Sequence, residues 1–520
     1  MMFLSWLEWL LLAVSFCVFL YLYLSRRRNH WKKQNLTSQP FSLIMGSTLS
    51  LFFKPQHQLD HESYQKYGRL FGSFEGGKPV LFVAEPELVK QVLVKDFSKF
   101  PSRRTVIGLE PLVSSMMSLA TGEQWHRVRR AASPAFTTGK LRKMNTLIEE
   151  CAQVTIRYLK KAASNEEDID VKQFFGHYSL DVIARCAFAT EVDSHSDQTN
   201  EFVTKTRQSF SGRITPRLLL ILALPGIANM LGVRLATSDS FMYLIQTCQS
   251  IIKRRRQRQE RHEDFLQLLM DALEGEAEEV PEAVSERDNQ IFNLGSEFTP
   301  DAALAPKNAL TAEEAMAQCL VFLVAGQDTV STAIAHTLYL LALHPDAQEK
   351  LRKEADECFA TNGDHPGLDV VTKLSYLNCV VSESLRIYPP AARIERTADE
   401  DYVLGDTGVM LKKGDMVVIP LYAMHRDPKY FHDPCTFDPE RFNEENMGNI
   451  QPYTYLPFGA GPRNCIGMRF ALQAVKLCVF HTVHNVQLVR TDKTKVPLEF
   501  HNGAAIITAK DITVGIRKRA

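Results

Sequence analysis

The residues 458 to 467, Phe458-Gly459-Ala460-Gly461-Pro462-Arg463-Asn464-Cys465-Ile466-Gly467, have the make-up of a loop built to present a thiolate. Glycines let the chain turn tightly, so that backbone amides can face a sulfur. Met468-Arg469-Phe470-Ala471-Leu472 reads as a helix start, and the N-terminus of a helix favours negative charge on a cysteine just before it. Phe458 can shield the sulfur from water, Arg463 can meet an anionic group, and Gly467 leaves room for a planar macrocycle. A thiolate beneath haem iron pushes electron density that favours O–O cleavage. The competing reading, a purely structural cysteine, must explain why so many positions are specified within ten residues.

A second set of groups lies upstream. Thr311 to His344 reads as one helix, opened by a Thr311/Glu314 capping box with Leu310 as its hydrophobic staple and closed by Pro345. At its middle stand Val324-Ala325-Gly326-Gln327-Asp328-Thr329. Gly326 costs about 1 kcal/mol in a helix interior. It permits either the close approach of a flat ligand or a local distortion, and Asp328 and Thr329 put an acid and a hydroxyl beside it. The competing reading is a glycine that allows close helix packing, with Asp328 at the surface. His336 reads as a satisfied core histidine. Glu383 and Arg386, three apart on a helical stripe of Leu374, Leu377, Val381, Ser384 and Leu385, meet on one face. Arg441 offers a second guanidinium, and a carboxylate shared by two arginines would be a buried network.

These groups need a large, mostly helical body. The chain has 520 residues, 45% of them hydrophobic, enough for a sizeable core. Lys plus Arg and Asp plus Glu number 60 each, a balance that argues against nucleic-acid binding. The ten cysteines include no C-x-x-C pair and read as mostly reduced and buried in a cytosol-facing domain. Leu4 to Leu24 is apolar enough to cross a bilayer, and Arg26, Arg27, Arg28, Lys32 and Lys33 after it put the remaining chain in the cytoplasm. A cleaved signal peptide would want a basic start and a small-residue cleavage site, which are not seen. Residues 34–39 read as a linker, and Pro40 opens the globular part. Residues 70–74 and 79–83 read as a hairpin around Gly76-Gly77. Strand-like pieces return at 417–420 and 504–508. The acidic stretch 274–307 reads as an exposed loop. Residues 213–233, with Leu218 to Leu222, fit a core helix or a loop dipping into the bilayer surface equally well. The basic run from Lys253 to Arg258 reads as a solvated helix face, with a partner-binding patch as the alternative.

From about Pro40 to the C-terminus the chain resembles the cytochrome P-450 superfamily, as a microsomal member near the clan of the family-3 drug and steroid hydroxylases. The resemblance implies a mainly α (α+β) fold, a helix-rich triangular prism with small β-sheets behind a single N-terminal transmembrane anchor. It divides the chain into an anchor (1–25), a basic and polar linker (26–40) and a haem-thiolate monooxygenase domain (41–520). By resemblance, Cys465 is the axial ligand of haem b, and Phe458 flanks the cofactor. Trp125 and Arg129, in Trp125-His126-Arg127-Val128-Arg129, match a helix that contacts a haem propionate. Arg103, Arg396 and Arg463 stand where further propionate contacts are made. Ala325 and Gly326, with the catalytic pair Asp328 and Thr329, match the oxygen-binding groove. Glu383, Arg386 and Arg441 match the structural charge triad. Substrate contacts would come from residues 104–119, 210–233, Phe322, Ala325, 391–395 and 502–505.

The activity so implied inserts one oxygen atom from dioxygen into a lipophilic substrate: a steroid, a fatty acid or a foreign compound. Electrons would come from NADPH through cytochrome P-450 reductase, with cytochrome b5 as a further candidate partner, at the endoplasmic reticulum membrane. Arg127, Arg130, Arg142 and Lys143 could meet an acidic reductase or be plain solvated surface. Two rivals remain. A haem-thiolate isomerase or dehydratase acting on lipid peroxides would need neither reductase nor proton relay, and a haem sensor or carrier would not need the acid and hydroxyl. Three features depart from the family: the proline-rich hinge after the anchor is reduced to Pro40, the acidic loop before Thr311 is long, and residues 210–233 match only in character.

Overall fold

The structure, a computed structural model, describes residues 28–41, 47–75, 78–104, 109–197, 199–209, 220–221, 225–233, 239–262, 264–274, 310–364, 366–503 and 506–519, with scattered positions between 6 and 25. The helices that build the body are α1 (Gln56–Tyr67), α2 (Gly122–Ala132), α3 (Thr138–Ser164), α4 (Val171–Phe188), α5 (Asp239–Arg258), α6 (Phe265–Glu274), α7 (Ala312–Leu343), α8 (Pro345–Asn362), α9 (Ser375–Ile387) and α10 (Met468–Asn485). The strands that frame the site are β1 (Leu70–Glu75), β2 (Lys78–Val83), β3 (Asp168–Asp170), β4 (Ile394–Thr397), β5 (Met416–Ile419), β6 (Val486–Val489) and β7 (Thr513–Lys518).

Helix α7 is the axis of the helical layer. Both halves of its capping box are made: Thr311 Oγ1 accepts from the Glu314 amide, and the Glu314 carboxylate accepts from the Thr311 amide. Its apolar sequence would be long enough to cross a membrane, yet most of it is buried inside the protein, packed against α4, α9 and α10. Helix α4 starts where Asp170 accepts from the Lys172 and Gln173 amides, a cap that contributes about 1 kcal/mol and sets the direction in which Lys172 leaves the first turn.

The larger sheet runs β1-β2-β5-β4. β5 is its buried centre, parallel to β2 and antiparallel to β4, with Arg396 of β4 opposite Val417. An all-apolar Met-Val-Val-Ile segment suits a strand covered on both faces. A second sheet, β3-β7-β6, joins the C-terminus to the entrance of α4.

The structure corrects four expectations. Residues 34–39 are not a free linker: Gln39 N donates to Gly72 O, Gly72 N donates to Thr37 O, and Trp31 is 1% exposed. Among described residues, 506–508 form only an isolated bridge, between Ile506 and Ala391, and the C-terminal strand is instead β7. Arg255 does not join the solvated face of α5; it is 1% exposed and paired with the buried Asp264. His336 is buried, as a core residue should be, yet neither ring nitrogen has a partner. The Gly76-Gly77 turn, nearly all of 274–307 and most of the apolar run 218–222 lie outside the described residues, although Ile221 is buried. The first apolar segment is also largely outside them. Its described positions are helical, and Trp6, Leu11, Val14, Val18, Phe19, Tyr21 and Leu22 are exposed.

Candidate active site

Cys465 hangs from a loop closed on itself by its own amide, which donates to Phe458 O at 2.9 Å. The turn depends on two left-handed residues, Gly459 at φ 74° and Gly461 at φ 71°. At Gly461 the requirement is absolute in space as well as angle, because a Cβ there would lie 1.9 Å from Leu93 O. The Gly467 amide, at the N-cap of α10, lies on the side of the Cys465 sulfur where it favours the thiolate. The sulfur is solvent-accessible although protein atoms surround it densely. Confinement holds the thiol above its ordinary value, while the Gly467 amide and the Arg129 and Arg103 guanidiniums pull it back.

Four arginines surround this loop without a counter-charge: among the described residues none forms an ion pair with a carboxylate. Arg103 donates to Arg463 O at 3.2 Å. Arg129, on α2, forks onto Asn464, with 3.0 Å to its carbonyl and 2.7 Å to its side-chain oxygen. Arg463 lies over the Trp125 ring at 4.5 Å and donates to Ala120 O, leaving Nε and Nη1 unpartnered. Arg396, fully buried on β4, donates to Glu395 O and leaves Nε unpartnered. Burial and mutual repulsion lower them: Arg396 well below the usual guanidinium range, Arg129 to about 10 and Arg463 to about 9. Stranded buried cations are costly unless something anionic meets them. A planar group bearing two carboxylates over a thiolate ligand is what this donor set fits, and haem with its propionates has that chemistry.

On α7 the groove residues divide between two sides. Ala325 is exposed, and Thr329 Oγ1 donates to its carbonyl at 2.7 Å. Gly326 faces the other way: a Cβ there would lie 2.4 Å from Ile183 Cδ1 of α4. Its missing side chain serves helix packing. Asp328 is held by Lys172 of α4, whose ammonium also reaches the Asp328 carbonyl and the hydroxyls of Ser331 and Thr332. Burial lowers Lys172, and Asp328 opposes that shift. Lys172 carries no signal in the sequence, since a lysine two residues after a helix cap is ordinary surface chemistry until α4 is laid against α7.

Behind the loop, Glu383 and Arg386 are both 0% exposed and doubly bonded, at 2.7 and 2.8 Å. Arg441 joins at 3.4 Å, and Arg386 also caps the carbonyls of His425, Pro434 and Thr436. Arg127, read as a possible docking residue, turns inward and pairs with Glu314 of α7, so it ties α2 to the long helix. Arg142 stays exposed beside Asp369. Phe458 is half-buried. The start of the predicted substrate loop is pinned: Arg104 pairs with Glu75 and Glu395, and Arg393 bridges the same two carboxylates.

A model of the cytochrome P-450 family matches residues 37–515. Over 517 residues the chain is 36% identical to cytochrome P-450 3A5 of Homo sapiens, covering 98% of this chain and 96% of that protein. Cytochrome P-450 3A2 of Rattus norvegicus and 3A11 of Mus musculus are each 35% identical over the same span.

Proposed function

Because this chain belongs to the cytochrome P-450 family, we propose that it oxidises lipophilic small molecules at a membrane surface with electrons delivered by a partner reductase. It is a monooxygenase, and its cofactor is haem with the iron held through a cysteine thiolate. Bound there, haem supplies dioxygen activation, to which the thiolate contributes electron density.

The chain's own groups then have distinct tasks. Cys465 is the thiolate ligand, kept in place by the loop's self-closing bond and favoured as a thiolate by the Gly467 amide. Arg103, Arg129, Arg396 and Arg463, with Trp125, hold the propionates and thereby gain the anions they lack. The Thr329 hydroxyl leaves its bond to Ala325 O and holds a proton donor on the open side of α7, while Asp328 passes protons inward under the grip of Lys172. The paired acid and hydroxyl favour oxygen activation over rearrangement of a ready-made peroxide. The exposed apolar residues described between Trp6 and Leu22 support an anchor in the bilayer, and the cytoplasmic face of the endoplasmic reticulum is the membrane proposed. Substrates partitioned in that bilayer, whether steroids, fatty acids or foreign compounds, are the class expected, with NADPH–cytochrome P-450 reductase as electron donor.

The observation that carries the reading is an exposed cysteine set among four arginines that, among the described residues, have no carboxylate partner. Reconstitution of the full chain with reductase and a lipophile panel tests it. Oxygenated product that needs NADPH is expected, with the red-shifted Soret band of the reduced carbon monoxide adduct. Persistence of that band in Cys465→Ser would overturn the ligand assignment, and product formed from a lipid peroxide without NADPH would overturn the reaction.

A further inference from the structure

The segment after the apolar N-terminal run is built into the larger sheet rather than hung from it. Trp31 lies under β1: its indole Nε1 donates to Ser73 O at 2.9 Å, and it is 1% exposed. The ring occupies the space where a side chain on residue 72 would be, since a Cβ on Gly72 would lie 2.3 Å from Trp31 Cγ. Beyond a 3-10 turn at Lys32–Gln34, reversed by Asn35 at φ 54°, the chain runs parallel to β1. Ser38 pairs with Gly72, closing the backbone bonds of Thr37, Gly72 and Gln39. Side chains fasten the same stretch: Gln39 bonds both Ser63 of α1 and Ser73 of β1, Gln34 accepts from the Met410 amide, and Phe41 stands edge-on to Phe74. The fastenings run along β1 and reach out to α1 at Ser63 and to the strand Val409–Leu411 at Met410, so the segment cannot swing about any one of them.

The tether is also short. Ser25 is still helical, and six peptide units separate it from Trp31, a reach of at most about 22 Å even fully extended. Arg28 on that tether and Lys32 and Lys33 just after it are exposed, cations suited to anionic lipid headgroups, and Phe53, 75% exposed, projects from a nearby part of the chain.

We propose that residues 31–41 act as a clamp, with Trp31 as its plug, that fixes the β1 edge of the catalytic domain at one tilt against an anionic bilayer surface. This rests on the reading of residues 4–24 as a bilayer anchor. A flexible hinge would let the domain sample many tilts, whereas the clamp passes the orientation of the anchor directly to β1. One face of the molecule, and whatever route to the site opens on it, is thereby held toward the lipid.

The test uses the full-length, haem-loaded protein in lipid nanodiscs of phosphatidylcholine with phosphatidylserine. Backbone hydrogen exchange across residues 36–41 and 72–73 is followed together with haem tilt by polarised absorption in oriented bilayers. Trp31→Ala is expected to speed exchange there by on the order of a hundredfold, given the cost of deleting a buried aromatic, and to broaden the tilt distribution. Trp31→Phe keeps an aromatic ring in the plug but loses the bond to Ser73, and a rise of about tenfold is expected. It also stands in should the alanine variant lose its carbon monoxide Soret band. A Gly-Ser insertion between Arg28 and Asn29, outside the clamp, should broaden tilt and leave exchange unchanged. Unchanged exchange in both Trp31 variants, with protein still in the membrane pellet after carbonate washing, overturns the clamp. Wild-type protein in the supernatant after that wash overturns the anchor instead, whatever the exchange shows.

Discussion

Replacing Lys172 by methionine keeps the aliphatic stem and deletes the ammonium. Four acceptors lie close to that ammonium: Asp328 Oδ1 at 2.6 Å, the Asp328 carbonyl at 2.8 Å, and the Ser331 and Thr332 hydroxyls at 2.7 Å each. With three protons to donate, it shares one. Bonds of this charged kind contribute about 1.5–3 kcal/mol each before desolvation is counted. Desolvation is substantial, since burial is what lowers the Lys172 pKa. Breaking a fully buried pair by removing one partner costs about 3–5 kcal/mol. Here the side chains keep 17% and 21% exposure, so solvent screens part of the loss, and about 2 kcal/mol is the expected destabilisation. Ser331 is not stranded, because it already donates to Gln327 O. The same change frees Asp328 from its cation. Urea unfolding of the haem-loaded protein measures the first effect, and the ratio of product formed to NADPH consumed, with its solvent isotope effect, measures the second. Lys172→Arg should recover part of both. A methionine variant with an unshifted midpoint and unshifted coupling would refute the role given to this contact.

Other perturbations have equally definite outcomes. Burial pushes the His336 pKa down to about 3. Between that value and the ordinary one near 6.5 the unfolded chain takes up a proton that the folded chain refuses, so stability falls as pH falls through the window, by about 1.4 kcal/mol per unit. His336→Phe keeps the stack on Tyr388, and should abolish about 2 kcal/mol of the loss between pH 6.5 and 5, read from urea melts at the two pH values. Glu383→Gln leaves Arg386 buried without its anion, and a loss of about 3–5 kcal/mol should appear as a collapse in the yield of haem-loaded protein. Gly461→Ala forces a Cβ into Leu93 O, so the loop must move, and the carbon monoxide Soret band should shift or vanish while helical circular dichroism is kept.

Much of this architecture could be read from local chemistry. The long helix showed itself through its cap, since Thr311 and Glu314 satisfy each other wherever the helix goes. The cysteine loop was equally legible, because its glycines state a backbone demand that does not depend on tertiary context. β7 was not, being stabilised by register with β3 and β6 rather than by any turn signal of its own. Residues 34–39 were misread because polarity suggests solvent, whereas Gln34 and Gln39 spend their amides on Met410, Ser63 and Ser73. Arg127 was misread in the opposite sense, its partner Glu314 being 187 positions away. Gly326 carried two readings, and only the position of Ile183 assigns its missing side chain to packing.

The contact between Gly326 and Ile183 makes the two positions interdependent. Enlarging the glycine alone presses a Cβ on the Ile183 side-chain end, which must turn aside in a packed seam between α4 and α7. Trimming the isoleucine at the same time returns the volume, so a paired Gly326→Ala, Ile183→Val exchange should be gentler than the alanine change alone. Over descent, the two sites are then bound to drift in step, bulk on one helix traded for bulk on the other, and a proton path can stay intact while the residues that align it change.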